Sequence, residues 1–246
     1  MVRVFLDTNI FKFSAVKKHV YAKRRKLITW GDLQKEIEYH VPYTLNDLTK
    51  IKTATQRRDA ISLGMLALLG KEKRVEYFSH RVVDDEVAGL PSMMSPSGRF
   101  FGCPIQWVLD PRLSMTRVVC GAGKTHRQHT LEFLSAIKDE RFKALANLTG
   151  AYQGEDKPLH LNQALDAYHL WCAESAQIEY FLTMDYKLAR VVERNKQKTA
   201  IKIVAPQALL RLVMIQLGPF RSLPILIRAY RFAKRELAFL EGEGWN

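Results

Sequence analysis

Two short apolar runs that each end on an aspartate constrain this chain more than any other feature. The first is Val2-Arg-Val-Phe-Leu-Asp7-Thr8-Asn9, and the second is Ile178-Glu-Tyr-Phe-Leu-Thr183-Met-Asp185. Val2, Val4, Phe5 and Leu6 suit a strand buried on both faces, the pattern of parallel sheets. Open α/β sheets bind ligands beyond the carboxyl ends of their strands. A strand that ends in Asp therefore sets a charge where such folds do their chemistry. Asp7 has a second reading, a cap on the next helix with help from Asn9. The first run alone does not decide between them.

Between the two runs the periodicity is mostly helical. Ile10-Phe11-Lys12-Phe13 opens a helix. A basic stretch follows, Lys17, Lys18, Lys23, Arg24, Arg25 and Lys26, with Tyr21 and Trp30 nearby. It is expected to be helical, either as a solvated face or as cations and rings that meet phosphates and bases. Trp30 to His40 is expected to be a second helix with Leu33 and Ile37 on one side. Asn46 to Gly70 carries apolar residues at helical spacing, with Arg57 and Arg58 on the exposed side and Gly70 as a stop. Arg74 to Ser79 is a strand candidate. It runs into Val82-Val83-Asp84-Asp85-Glu86-Val87, a helix start whose acids suit the positive end of the helix dipole. The alternative is that one of them faces the Asp7 end of the sheet.

Residues 91–125 have the proline, glycine and serine content of a long loop, in which Arg99, Phe100, Phe101 and Trp107 either touch substrate or pin the loop to the core. Leu131 to Leu148 has the spacing of one amphipathic helix. From Leu161 a further helix carries Leu165, Tyr168, Trp171 and Cys172 on an apolar stripe. Asn162, Asp166 and His169 share another face. Ile203-Val204 is the last strand expected. Beyond it lie a helix at 207–217 and another that Pro224 starts, apolar on one side and basic on the other. The expected organisation is a catalytic unit over 1–205, with a basic helical insertion at about 12–70, and a helical extension at 206–246 packed on it. Those last helices also suit a homodimer or partner surface.

The 246 residues suffice for one good core, and 47% hydrophobic with 26% charged residues is ordinary for a globular chain. The net charge of +13 is not ordinary and implies a polyanionic partner, nucleic acid before an anionic membrane. Three cysteines, Cys103, Cys120 and Cys172, give no disulfide framework, so a reducing cytoplasm is the expected compartment. Asp7 interrupts the one apolar run near the start, so no secretory leader is expected, and no apolar stretch is long enough for a transmembrane helix. Gly121-Ala-Gly-Lys-Thr125 evokes a phosphate-binding loop, but the position that must be glycine is Val118. Cys120, His126 and His129 lack a second pair at zinc spacing.

The acids carry the argument further. Asp7 and Asp185 would share one sheet edge if their strands are parallel, and Asp166 on the connecting helix could point there. Clustered carboxylates persist at neutral pH when something positive sits among them. Hard divalent cations take such oxygen donors, and paired ions activate water against a phosphodiester. The ordered set of Asp7-Thr8-Asn9, an acid after a strand, Asp166-Ala-Tyr-His-Leu-Trp-Cys-Ala and Phe-Leu-Thr183-Met-Asp185 resembles the PIN-domain nucleases. The resemblance implies an α/β/α sandwich around a mainly parallel sheet, with extra helices here, and an Mg²⁺- or Mn²⁺-dependent nuclease acting on RNA. It assigns Asp7, Glu86, Asp166 and Asp185 to the metal, with Asp84 or Asp85 as alternatives to Glu86. Asn9 and Thr183 would position the acids or the water. Lys23, Arg24, Arg25, Lys26, Arg57 and Arg58 are the basic residues expected to meet nucleic acid. The alternative within that fold is a catalytically inactive RNA-binding or scaffold protein.

Overall fold

A computed structural model describes residues 1–14, 17–31, 33–46, 53–88, 93–94, 99–109, 111, 126–152, 159–195 and 199–236. The first run forms β1 (Val2–Leu6), and α1 (Thr8–Ser14) follows at once. Next come β2 (Lys17–Trp30), β3 (Leu33–Asn46), α2 (Ala54–Lys71), β4 (Val75–His80) and α3 (Arg81–Ala88). The chain continues through β5 (Met93–Met94), a 3-10 turn at Arg99–Gly102, β6 (Ile105–Val108), α4 (His126–Ser135), α5 (Glu140–Thr149) and α6 (Leu161–Ser175). It ends in β7 (Tyr180–Leu182), α7 (Tyr186–Glu193), β8 (Lys202–Val204), α8 (Pro206–Leu217) and α9 (Pro219–Glu236). Among the described residues no helix is long and apolar enough to cross a membrane.

Five strands form one sheet in the order β6-β4-β1-β7-β8, every pair parallel, with helices flanking it in an α/β/α sandwich. The chain builds outward from β1 to β4 and β6, then returns to the other side of β1 for β7 and β8. The strand order therefore reverses between β1 and β7, and the crevice at such a switch point is where sheets of this kind bind ligands. Phe5 at the centre stacks on Phe181 of β7, ring centroids 5.4 Å apart, and both are fully buried. Burying each ring contributes about 1.5–3 kcal/mol. This core fixes the register Phe5↔Phe181, which in turn fixes how Asp7 meets the end of β7.

Four helical expectations are corrected. The basic stretch and its successor are not helices: β2 and β3 pair antiparallel over all fourteen residues of each, from Lys17↔Asn46 to Trp30↔Leu33. Gly31 turns the chain with φ +61°, a conformation that favours glycine. The expected helix from Leu131 to Leu148 is two, because the Asp139 carboxylate accepts from the Arg141 and Phe142 amides and starts α5 afresh. The last helix begins at Pro219 and carries Pro224 inside it. The expected loop at 91–125 contains edge strand β6. Phe100 and Phe101 are both left-handed and both buried, so their rings pin the segment to the core and offset the backbone cost of about 1–2 kcal/mol each. The glycine-rich run at 121–125 and Cys120 lie outside the described residues.

Helices α8 and α9 pack against α2. The crossing of α2 and α9 is close enough that a Cβ on Gly64 would sit 2.9 Å from that of Ala233. Asp59, buried on α2, ties the group together. Its carboxylate accepts from the Tyr186 hydroxyl of α7 and, at 2.9 Å, from the Gln207 amide in the first turn of α8. An Asp59→Ala variant takes the acceptor from two half-buried donors, a cost of about 1–3 kcal/mol in all. It should lower the thermal midpoint by several degrees in calorimetry while leaving the far sheet edge intact.

Candidate active site

The carboxyl ends of β1, β4 and β7 present their side chains to one edge. Asp7 follows β1 directly, and its amide donates to the Leu182 carbonyl of β7 at 3.2 Å. Thr183 follows β7, and its hydroxyl donates to Asp7 Oδ2 at 2.7 Å. The Asn9 side-chain amide donates to the same Oδ2 and, at 2.9 Å, to the Thr183 hydroxyl, while its carbonyl accepts from the Met184 amide at 2.8 Å. Asn9 thus clamps the end of β7 to the end of β1 and aims Asp7. The capping reading fits Asp185 instead: its Oδ1 accepts from the amides of Lys187 and Leu188 at the start of α7.

Glu86 comes from α3, one turn beyond the end of β4. Its Oε2 accepts from the Thr8 hydroxyl at 2.9 Å, and its Oε1 lies 3.2 Å from His169 Nε2. Of the two described side chains of the acidic trio, it is the one that faces this edge. Asp84 pairs with Arg99, and the Asp85 side chain lies outside the described residues. His169 of α6 is buried, with Nδ1 3.9 Å from Asp7 Oδ1. One helical turn earlier on α6 stands Asp166.

The electrostatics bind these groups into one unit. Burial and the charge of Asp7 push the Asp166 carboxyl up to about 8, with Asp185 and Glu86 adding to the rise and His169 opposing it. Burial also raises Asp7, against the pull of His169 and the Thr183 hydrogen bond. For Glu86 burial acts upward too, but His169, Thr8 and Lys12 outweigh it and hold the carboxyl below its ordinary value. His169 shows the converse: burial favours the neutral ring, yet Glu86, Asp7 and Asp166 together raise it. No protein-family model matches this chain, and no curated protein does.

Asp7 and Glu86 meet His169 at this sheet edge, with Asp166 on the same helix as His169 and Asp185 at the start of α7, and carboxylates are hard oxygen donors of the kind Mg²⁺ and Mn²⁺ take. Burial and the neighbouring acids favour the protonated form of Asp166, and a cation among them would have the opposite effect. Among the described residues no three His, Cys, Asp or Glu side chains already stand at ligand spacing around one point. The sequence alone assigns no role to His169 or to Thr8. The signal for His169 was its place three residues after Asp166 on one helical face.

The basic residues divide. Lys23, Arg24, Arg25 and Lys26 all lie on β2 and are exposed, whereas Arg57 and Arg58 lie in the first turns of α2. Glu38 on β3 takes up two of them, 2.7 Å from Lys23 and 3.6 Å from Arg25.

Proposed function

We propose that this chain is a metal-dependent nuclease that hydrolyses phosphodiester bonds, RNA in preference, in the manner of the PIN-domain nucleases it resembles. The observation that supports the reading is geometric: at the switch point of a parallel sheet, Asp7 and Glu86 converge on His169 of α6, at 3.9 and 3.2 Å, one helical turn from Asp166. Asp7, Glu86, Asp166 and Asp185 would hold Mg²⁺ or Mn²⁺. When bound, such an ion polarises the phosphate and makes water a better nucleophile at neutral pH. Asn9 and Thr183 hold the Asp7 carboxylate in one orientation, and His169 offsets part of the negative charge before any ion arrives. The net charge of +13 favours a polyanionic substrate, and the buried thiol of Cys103 suits a reducing cytoplasm.

A second reading, a non-catalytic RNA-binding protein of the same fold, draws on the engagement of Glu86 by Thr8 and His169. Labelled single-stranded RNA, hairpin RNA and single-stranded DNA incubated with Mg²⁺, Mn²⁺ or EDTA separate the two. The nuclease reading expects cleavage that needs the metal and favours RNA. Tight binding with no cleavage in either metal would establish the second.

A further inference from the structure

The hairpin of β2 and β3 is left over by the active-site argument. Every described residue from 23 to 40 is exposed, on both faces of the ribbon. An isolated two-stranded hairpin is marginally stable in water, because neither face buries apolar area. Fourteen residues per strand span about 45 Å, far longer than a connection requires. Its base pairs with β5, but the described residues from 23 to 40 have no cover, which leaves their faces open to an occupant.

The register shows which face. Antiparallel partners lie on the same side, so the ribbon divides into two sets between residues 23 and 40. One set holds Lys23 and Arg25 with Glu36 and Glu38, and Glu38 meets both cations across the strands. The other holds Arg24, Lys26 and Lys35 with Ile28, Trp30, Leu33, Ile37 and Tyr39, and it contains no acid. Trp30 and Leu33 pair at the tip and are 85% and 76% exposed. The acids are segregated onto one side, while the rings and the unopposed cations share the other. A protein surface of acidic character would meet the cations but has no need of flat rings at intervals. A single nucleic-acid strand needs both, since its phosphates repeat along a line and each base offers a π-face for stacking.

We propose that the Arg24–Lys26–Trp30–Lys35–Tyr39 face of this arm binds single-stranded nucleic acid, with Trp30 and Tyr39 stacking on bases and the three cations tracking the backbone. The inference deepens the nuclease reading, on which it rests for the identity of the polyanion, and it names unpaired strands as the substrate class. It also revises the basic set: Arg24 and Lys26 belong to the interface, and Lys23 and Arg25 belong to the opposite, self-neutralised side.

The test uses the full chain in EDTA, with a fluorescein-labelled single-stranded RNA oligonucleotide and a duplex of equal length read by anisotropy. Trp30→Ala with Tyr39→Ala should weaken single-strand binding on the order of ten- to a hundredfold. Arg24→Ala with Lys26→Ala and Lys35→Ala should reduce the slope of log affinity against log salt by about 2, since each lost phosphate contact on a single strand removes about 0.7. Thr29→Ala with Gln34→Ala, on the opposite side near the tip, should change neither. All these side chains are exposed, so circular dichroism and the thermal midpoint should stay at wild-type values. Unchanged binding in both arm variants would overturn the proposal, as would a duplex preferred over the single strand. It would equally fall if the Trp30 and Tyr39 variant dissociated a dimer in sedimentation, or released the chain from anionic vesicles, with oligonucleotide affinity untouched. Cleavage in Mg²⁺ alongside unchanged binding would sink the arm alone. Arm-dependent binding with no cleavage in either metal would sink the nuclease reading alone.

Discussion

Asp7→Asn will abolish metal-dependent cleavage while leaving the fold and the affinity for nucleic acid close to wild type. The substitution is isosteric. The Asn carbonyl can still accept from the Asn9 amide and the Thr183 hydroxyl, the two donors that converge on Asp7 Oδ2. What disappears is a buried negative charge whose burial already disfavours ionisation, so the loss of attraction to His169 is offset by relief of desolvation. The stability change should be small, read as a thermal midpoint within a few degrees of the parent. Activity should respond quite differently, because a carboxamide is a much poorer ligand than a carboxylate for a hard cation. Residues that only orient ligands cost about 10- to 100-fold when removed. Asn9→Ala should fall in that range, and Asp7→Asn should exceed it in single-turnover rates. A variant at position 7 that cuts at the wild-type rate would move the active site elsewhere.

The sheet edge was legible in the sequence for a physical reason. A parallel strand buried on both faces must be apolar throughout, so the runs ending at Leu6 and Leu182 stand out against their neighbours and deliver Asp7 and Thr183 at known positions. Glu86 was legible as one of three acids, and only the geometry separated it from Asp84, which turns to Arg99. The arm was not legible by the same rule. Both faces of β2 and β3 are in water between residues 23 and 40, so no alternation of buried and exposed residues exists to betray a strand, and the Lys, Arg and Glu content favours helix. The one local signal was Gly31-Asp32 between Trp30 and Leu33, a two-residue hairpin turn. At Asp139 the opposite happened: the apolar spacing ran on through a helix start that a side-chain cap had set. The role of His169 escaped because a histidine on a buried helix face says nothing of its counter-charges until Glu86 and Asp7 arrive from other elements.

Asp166→Asn is expected to do two opposite things, stabilise the metal-free protein and end its catalysis. Asp166 in the folded chain titrates near 8 against an ordinary 3.8, because burial and the charge of Asp7, then those of Asp185 and Glu86, all resist its ionisation. The sign follows from proton linkage. Between those two values the folded state holds a proton that the unfolded state has released, so stability falls as pH rises from about 4 to about 8 and then levels. Asn at this position carries no charge at any pH and can donate to the neighbouring carboxylates. The variant's advantage in thermal midpoint should therefore be small near pH 4, grow through neutrality and plateau above about 8. Each kcal/mol moves the midpoint by about 2–4 °C in a chain of this size, so the gain should be several degrees at pH 8. The same proton governs the ion. A divalent cation must displace it, so Mg²⁺ affinity in the parent should rise by up to about tenfold per pH unit below 8, with proton release visible in buffers of different ionisation enthalpy. Mg²⁺ should raise the parent's midpoint by mass action and leave that of Asp166→Asn nearly unmoved. A variant less stable than the parent at pH 8, or a gain independent of pH, would mean that Asp166 serves the fold and not an ion. Stability surrendered at this one carboxylate, recovered only when a cation takes the proton's place, is the signature that separates a binding site from a structural cluster of acids.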